Sequence, residues 1–105
     1  LRPGQHVTAV GADAEHKAEV EAAALALADR LAGDDRGQCA RLGELHHAIA
    51  GGAVPPDVAT VDLGAIIAGD APGRRSDDEL TLCDLTGTGA QDTAIANHVL
   101  ALLAR

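Results

Sequence analysis

Phenylalanine, tyrosine, tryptophan and methionine are all missing from the 105 residues. Aromatic rings ordinarily supply the largest single burials in a core, so Leu, Val, Ile and Ala must fill this one, and a thin, alanine-rich core of marginal stability is expected. Basic residues are scarce, with 8 Lys and Arg against 16 Asp and Glu and a net charge of −8. A phosphate backbone is gripped by clustered Lys and Arg, and here only Arg74-Arg75 are adjacent, which argues against a nucleic-acid partner. Basic amphipathic stretches are lacking too, as is any apolar run near the ~20 residues of a membrane helix, so no membrane contact is expected. Cysteine occurs twice, at Cys39 and Cys83, with no C-x-x-C. That pattern fits free thiols in a reducing compartment, and the expected location is cytoplasmic. Leu1-Arg2-Pro3-Gly4 lacks both an initiator Met and a signal pattern, so the chain reads as starting inside a longer protein. Its length allows one compact unit.

What is present alternates between strand and helix signals. Residues 6–10 alternate polar and apolar and end at Gly11, a short strand whose exit loop is Gly11-Ala12-Asp13. Propensity predicts a helix over 17–32, stopped by Gly33-Asp34-Asp35. A second helix is predicted over 38–50, with Cys39, Leu42, Leu45, His46 and Ile49 on one face and Gly51-Gly52 as its stop. A break at 54–57 precedes a short strand over 58–61 and a short helix over 63–68 closed by Gly69. Residues 71–79 form a polar loop, 80–85 a strand, and Thr86-Gly87-Thr88-Gly89 turns the chain into a last helix over 90–104. Such alternation predicts an α/β fold with a parallel sheet of three to four strands and flanking helices.

Most candidate motifs have a plain reading. Thr86-Gly87-Thr88-Gly89 sits where a dinucleotide fingerprint would, but Asp92 holds the third glycine position and the chain ends before the acidic residue expected ~20 positions on. A turn whose amides meet some part of a cofactor or substrate fits better, and a simple connecting turn stays open. His46-His47 with Glu44 and His98 invite a zinc site, yet adjacent helical histidines diverge by about a hundred degrees, so surface histidines and no metal are expected. Asp77-Asp78-Glu79 beside Arg74-Arg75 reads as a solvated, self-neutralising loop, and Asp34-Asp35 is read the same way. Cys39 and Cys83 read as core. Ser76, the only serine, lies in a charged loop, so no nucleophile triad is visible. Asp13 stands apart, because a carboxylate directly after a strand end occupies the sheet edge where open α/β folds place chemistry, although a helix N-cap or loop aspartate is the plainer alternative.

Taken in order, residues 6–13 (His-Val-Thr-Ala-Val-Gly-Ala-Asp), Lys17-Ala18-Glu19, Gly43-Glu44, residues 63–69 and above all residues 73–92 resemble the ornithine cyclodeaminase/mu-crystallin family. The resemblance implies a two-domain enzyme in which a Rossmann-type domain binds NAD or NADP. A second domain would bind a small amino-acid substrate and pair two subunits into a homodimer. Residues 1–88 would be the later part of the nucleotide domain, and 89–105 the helix returning to the other domain. The implied chemistry is amino-acid oxidation to an imine with loss of ammonia, as in ornithine cyclodeaminase. Alternatives are an alanine dehydrogenase or ketimine reductase relative, or a non-catalytic domain derived from the family. Carried over by position, Val10, Gly11, Ala12 and Asp13 line the nicotinamide side, Asp13 is the acid/base, Lys17 and Leu85 meet the cofactor, and Thr86 borders the substrate. Three positions depart from the family pattern: Glu15-His16 replaces Pro-Gly, Leu85 a serine and Cys83 a phenylalanine. The resemblance also implies a strand over 30–34, where propensity alone extends a helix. It puts the G-x-G-x-x-G turn and the substrate-carboxylate Arg and Lys before Leu1, so the 105 residues alone are expected to bind NAD weakly or not at all and to be inactive.

Overall fold

The computed structural model describes residues 1–10, 22–87 and 89–104. Four strands, β1 (His6–Ala9), β2 (Arg30–Gly33), β3 (Val61–Asp62) and β4 (Thr81–Asp84), form one sheet in the order β1-β4-β2-β3, with every pair parallel. The helices are α1 (Ala22–Leu27), α2 (Arg36–Leu42), α3 (Glu44–Ala50), α4 (Leu63–Ala68) and α5 (Gly89–Leu103). The chain steps one way across the sheet from β1 to β3 and then returns to insert β4 between β1 and β2. Right-handed crossovers in opposite directions must pass over opposite faces. Accordingly α1, α2 and α3 cover one face, while Leu63 and Ile66 of α4 lie over the other.

Strand register sorts the side chains. Leu31 pairs with Leu82, and these two meet Leu25, Cys39, Leu45, Ala48 and Val54 in the main core. That core is small, as composition implies, but leucine rather than alanine dominates it. An alanine side chain is too small to bridge the layers, whereas leucine reaches from helix to sheet. On the opposite face His6, Thr8, Arg30, Ala32, Cys83 and Leu85 border a groove of about 380 Å³.

Two expectations from propensity need correction. The helix over 17–32 is in fact α1 followed by β2, and residues 11–21 lie outside the described part. The helix stops because Asp29 is held by Leu80, its N–H donating to the Leu80 carbonyl (2.8 Å) and its carboxylate accepting the Leu80 N–H (2.8 Å). Beyond that point pairing with β4 outweighs helix propensity, which is worth only a few tenths of a kcal/mol per residue. The second correction divides 38–50 into α2 and α3 at Gly43, whose backbone is extended (φ −87°, ψ −168°). Smaller differences are that β3 keeps only Val61 of the strand expected at 58–61 and adds Asp62, and that α5 starts one residue early.

The loop read as solvated carries a structural clamp. Arg74 donates to the carbonyls of Gly4 (3.2 Å), Gln5 (3.2 Å) and Glu79 (2.9 Å) and to the Thr81 hydroxyl (3.0 Å). One planar guanidinium thus ties the entry of β1 to the entry of β4. The Thr81 hydroxyl, accepting from Arg74, is also hydrogen-bonded to His6 Nδ1 (2.7 Å), whose Nε2 is hydrogen-bonded in turn to the Thr8 hydroxyl (2.8 Å). The neighbouring Arg30 pairs with Glu79 at 3.3 Å, while Glu79 also accepts the Arg75 and Ser76 N–H groups. These contacts reach across strands that are separated by most of the chain. Arg74→Ala is therefore expected to lower the unfolding free energy by about 2 kcal/mol, and Arg74→Lys to recover less than half of it, because one ammonium cannot span four acceptors. Urea unfolding of the three proteins checks this; an equal stability for the Lys variant would contradict the clamp.

Candidate functional site

In a parallel sheet all carboxyl ends share one edge, and open α/β folds bind ligands there. Here that edge collects Val10 after β1, Asp34 and Asp35 after β2, Asp62 ending β3, and Leu85, Thr86 and Gly87 after β4. The Leu85 N–H donates to the Ala9 carbonyl (2.8 Å), so the ladder between β1 and β4 continues past their ends. Val10 is 64% exposed and Leu85 half-buried, which puts two apolar residues at the outer lip.

Asp34 organises the inner part. Its carboxylate accepts the N–H groups of Thr86 (3.0 Å) and Gly87 (2.8 Å), the Thr86 hydroxyl (3.0 Å) and the Asp35 N–H (2.9 Å), with the Cys39 thiol at 3.5 Å. Burial opposes ionisation of Asp34. The bonds from Gly87 and Thr86 outweigh it and hold the carboxyl below its usual range. Gln38 completes the arrangement by donating from Nε2 to the Thr86 hydroxyl (2.8 Å) and to the Gly87 carbonyl. Asp35 caps α2 by accepting the Gln38 N–H at 3.0 Å. Gly87 takes φ +85°, a region that favours glycine.

A second carboxylate lies deeper. Asp84, 3% exposed, accepts the Leu45 N–H (2.9 Å) at the start of α3. A side chain on Gly43 would put its Cβ 2.5 Å from Asp84 Oδ2 and 2.7 Å from the Thr86 methyl. Only glycine lets the helix start come this close, which is why 38–50 breaks at Gly43. Burial pushes the Asp84 carboxyl up, the N–H groups of Leu45 and Glu44 pull it back in part, and the charges of Glu44 and Asp34 push it up again. Cys39, packed beneath, is pushed up to about 12 by burial and then by the Asp84 charge, so its thiol is not a nucleophile here. Cys83 is buried in the central strand and is raised, first by burial.

Of the positions singled out from sequence, the structure brings Val10, Leu85 and Thr86 to one edge, while Gly11, Ala12, Asp13 and Lys17 lie outside the described residues. Thr86 is buried with its hydroxyl engaged as both donor and acceptor, pointing inward to Asp34 and Gln38. The Thr86 and Gly87 amides are likewise taken by Asp34, so the turn does not offer them to a cofactor phosphate as a fingerprint turn would. His46 Nδ1 donates to the Ala40 carbonyl (3.2 Å), and its ring meets His47 edge-on at 5.1 Å. Sequence reading passed over Asp34, Gln38 and Asp84. The usable signal was the one applied to Asp13, an acid directly after a strand end, together with the Asp35-x-x-Gln38 spacing of a helix start.

The two buried-edge carboxylates lean in opposite directions, and their pH signatures separate them. Asp34 titrates lower in the folded than in the unfolded chain, so it adds stability at neutral pH that disappears as pH falls through its depressed value. Asp84 titrates higher when folded, so its ionisation removes stability as pH rises from the ordinary aspartate range through the raised value. The advantage of the wild type over Asp34→Asn should shrink on acidification, whereas Asp84→Asn should gain on the wild type as pH rises toward neutrality. Urea midpoints between about pH 3 and pH 7 read both signs, and a reversed sign for either variant contradicts the assignment.

The family model for the ornithine cyclodeaminase/mu-crystallin family matches residues 1–103. An uncharacterized cyclodeaminase of Sinorhizobium fredii is 55% identical over 96 residues, covering 91% of this chain and 29% of that protein. The iminosuccinate reductase of Paracoccus denitrificans, solved in complex with NAD+, superposes with a TM-score of 0.86 at 41% identity, over 97% of this chain and 31% of that one. A lysine cyclodeaminase solved for recognition of L-lysine, L-ornithine and L-2,4-diaminobutyric acid gives a TM-score of 0.82 at 27% identity, over 99% of this chain and 28% of that one. The chain therefore spans about a third or less of the length of these relatives. A match over nearly every residue, on a parallel sheet whose carboxyl edge is built as described, makes this chain a member of the ornithine cyclodeaminase/mu-crystallin family.

Proposed function

We propose that these residues form the nicotinamide-side part of an NAD(P)-binding domain in a longer polypeptide, which reduces a small imino acid or oxidises the matching amino acid. The observation that carries the reading is the gap in identity between two solved relatives: 41% for the reductase solved with NAD+ against 27% for the lysine cyclodeaminase, at nearly equal coverage. The edge itself suits the nicotinamide end of the nucleotide. Val10 and Leu85 form an apolar lip suited to the flat face of the ring. The carboxylates of Asp34 and Asp35 nearby disfavour a diphosphate, and the turn amides are already taken. When bound, the nucleotide supplies hydride exchange with the substrate α-carbon.

Within this reading Val10, Gly11, Ala12 and Leu85 hold the ring side, Lys17 contacts the cofactor, and Thr86 borders the substrate from within the turn. Asp13 moves a proton at the substrate nitrogen. Closure to a cyclic product with loss of ammonia is the second reading, favoured by the relative that carries the name cyclodeaminase. A homodimer is proposed for the whole protein in either case.

The test is to express the whole reading frame that contains these residues and to follow NADH with small 2-oxo acids plus ammonium. Consumption of NADH with at least one such acid is expected, and Asp13→Asn should lower turnover by about a hundredfold or more. Release of ammonia from ornithine with no net change in NADH would favour the cyclodeaminase instead. If neither NAD(H) nor NADP(H) raises the melting temperature and nothing turns over, the family fold serves a non-catalytic role in this protein.

A further inference from the structure

We propose that Asp34 and Gln38 are positioning residues for the reaction, acting through the turn after β4; this rests on the reading that the carboxyl edge faces the nicotinamide. Both side chains converge on two residues. Asp34 Oδ2 accepts the Thr86 and Gly87 N–H groups, and Oδ1 accepts the Thr86 hydroxyl. Gln38 Nε2 donates to that same hydroxyl and to the Gly87 carbonyl. A hydroxyl has one proton to give, so with Asp34 as acceptor and Gln38 as donor its orientation is fixed. The Thr86 methyl is then directed over Gly43, where any side chain would collide with it. Gly87 completes the turn at positive φ. With Thr86 locked inward, the residue before it has one placement, and Leu85 is held beside Val10 on the lip.

Neither positioning residue belongs to the lip itself. Asp34 comes from the end of β2 and Gln38 from the first turn of α2, so the turn after β4 is set by the two elements beside it rather than by its own sequence. This explains how Leu85 can stand in the edge without a hydroxyl of its own to bond. The geometry is supplied from behind.

In the whole reading frame, Asp34→Asn leaves one acceptor oxygen where the carboxylate has two, so an amide N–H must face either the Thr86 and Gly87 N–H groups or the Asp35 N–H and the Thr86 hydroxyl, and Gln38→Ala removes both donations. Fluorescence titration with NADH counts intact sites and gives their affinity. Turnover is then expressed per intact site. The expected result is NADH affinity within about twofold of the wild type, with turnover per site lower by about tenfold or more for Asp34→Asn and by less for Gln38→Ala. The double variant should be no worse than Asp34→Asn, because both act through one turn. Unchanged turnover per site, with only the number of sites reduced, shows a merely structural role and overturns the proposal. Additive losses in the double variant overturn the shared route. A wild type that neither binds NADH nor turns over fails earlier, and removes the reading of the edge along with this inference.

Discussion

The structure depends on the insertion of β4 between two strands that come much earlier in the chain. All four of its residues are buried, and it carries the pairing for β1 on one side and β2 on the other. Parallel neighbours cannot be joined by a tight turn, so nothing local holds such a strand in register. Its two ends are fastened by side chains instead. At the entry Arg74 binds the carbonyls of Gly4 and Gln5 just before β1 and Asp29 binds Leu80, and at the exit Asp34 and Asp84 bind the turn and the start of α3. With no Phe, Tyr or Trp in the chain, register is secured by charged groups bonding backbone rather than by bulk. Hydrogen bonds to charged groups are among the stronger ones, and their direction is specific.

This way of fastening brings carboxylates close together. Asp34, Asp84 and Glu44 share one end of the sheet, and the two aspartates respond differently because their donors differ. Asp34 has bonds enough to stay ionised, whereas Asp84 trades solvent for fewer partners. An acidic chain can tolerate this arrangement because helix starts and turn amides supply partial positive charge where no Lys or Arg reaches.

Much of the fold was legible because it is written in short-range pattern. The alternation in residues 6–10 and 80–85, the glycine stops at Gly51 and Gly69, and the last helix all appear within a residue or two of expectation. What depends on distant partners was not. Residues 30–33 look like helix until β4 is beside them, and only the family resemblance pointed to a strand. Gly43 looks like an ordinary helix residue until Asp84 approaches it. Of the site, Val10, Leu85 and Thr86 were singled out only through the family resemblance, and they share the carboxyl edge because each lies just past the end of β1 or β4. Asp34 was dismissed as half of a solvated pair, because a two-residue acidic run gives no hint that its first member meets amides more than fifty positions away. Arg74 was dismissed for the same reason.

The last helix stands apart from this network. Every residue of α5 is exposed, including Ile95, Leu100 and Leu103. Burial of apolar surface is what gives unfolding its heat capacity change and its cooperativity, and α5 contributes no buried residue. A single helix of this length is marginal in water by itself. In calorimetric terms, these residues taken alone are expected to behave as two objects of unequal kind: a sheet unit that melts as a whole, and a helical arm that frays gradually.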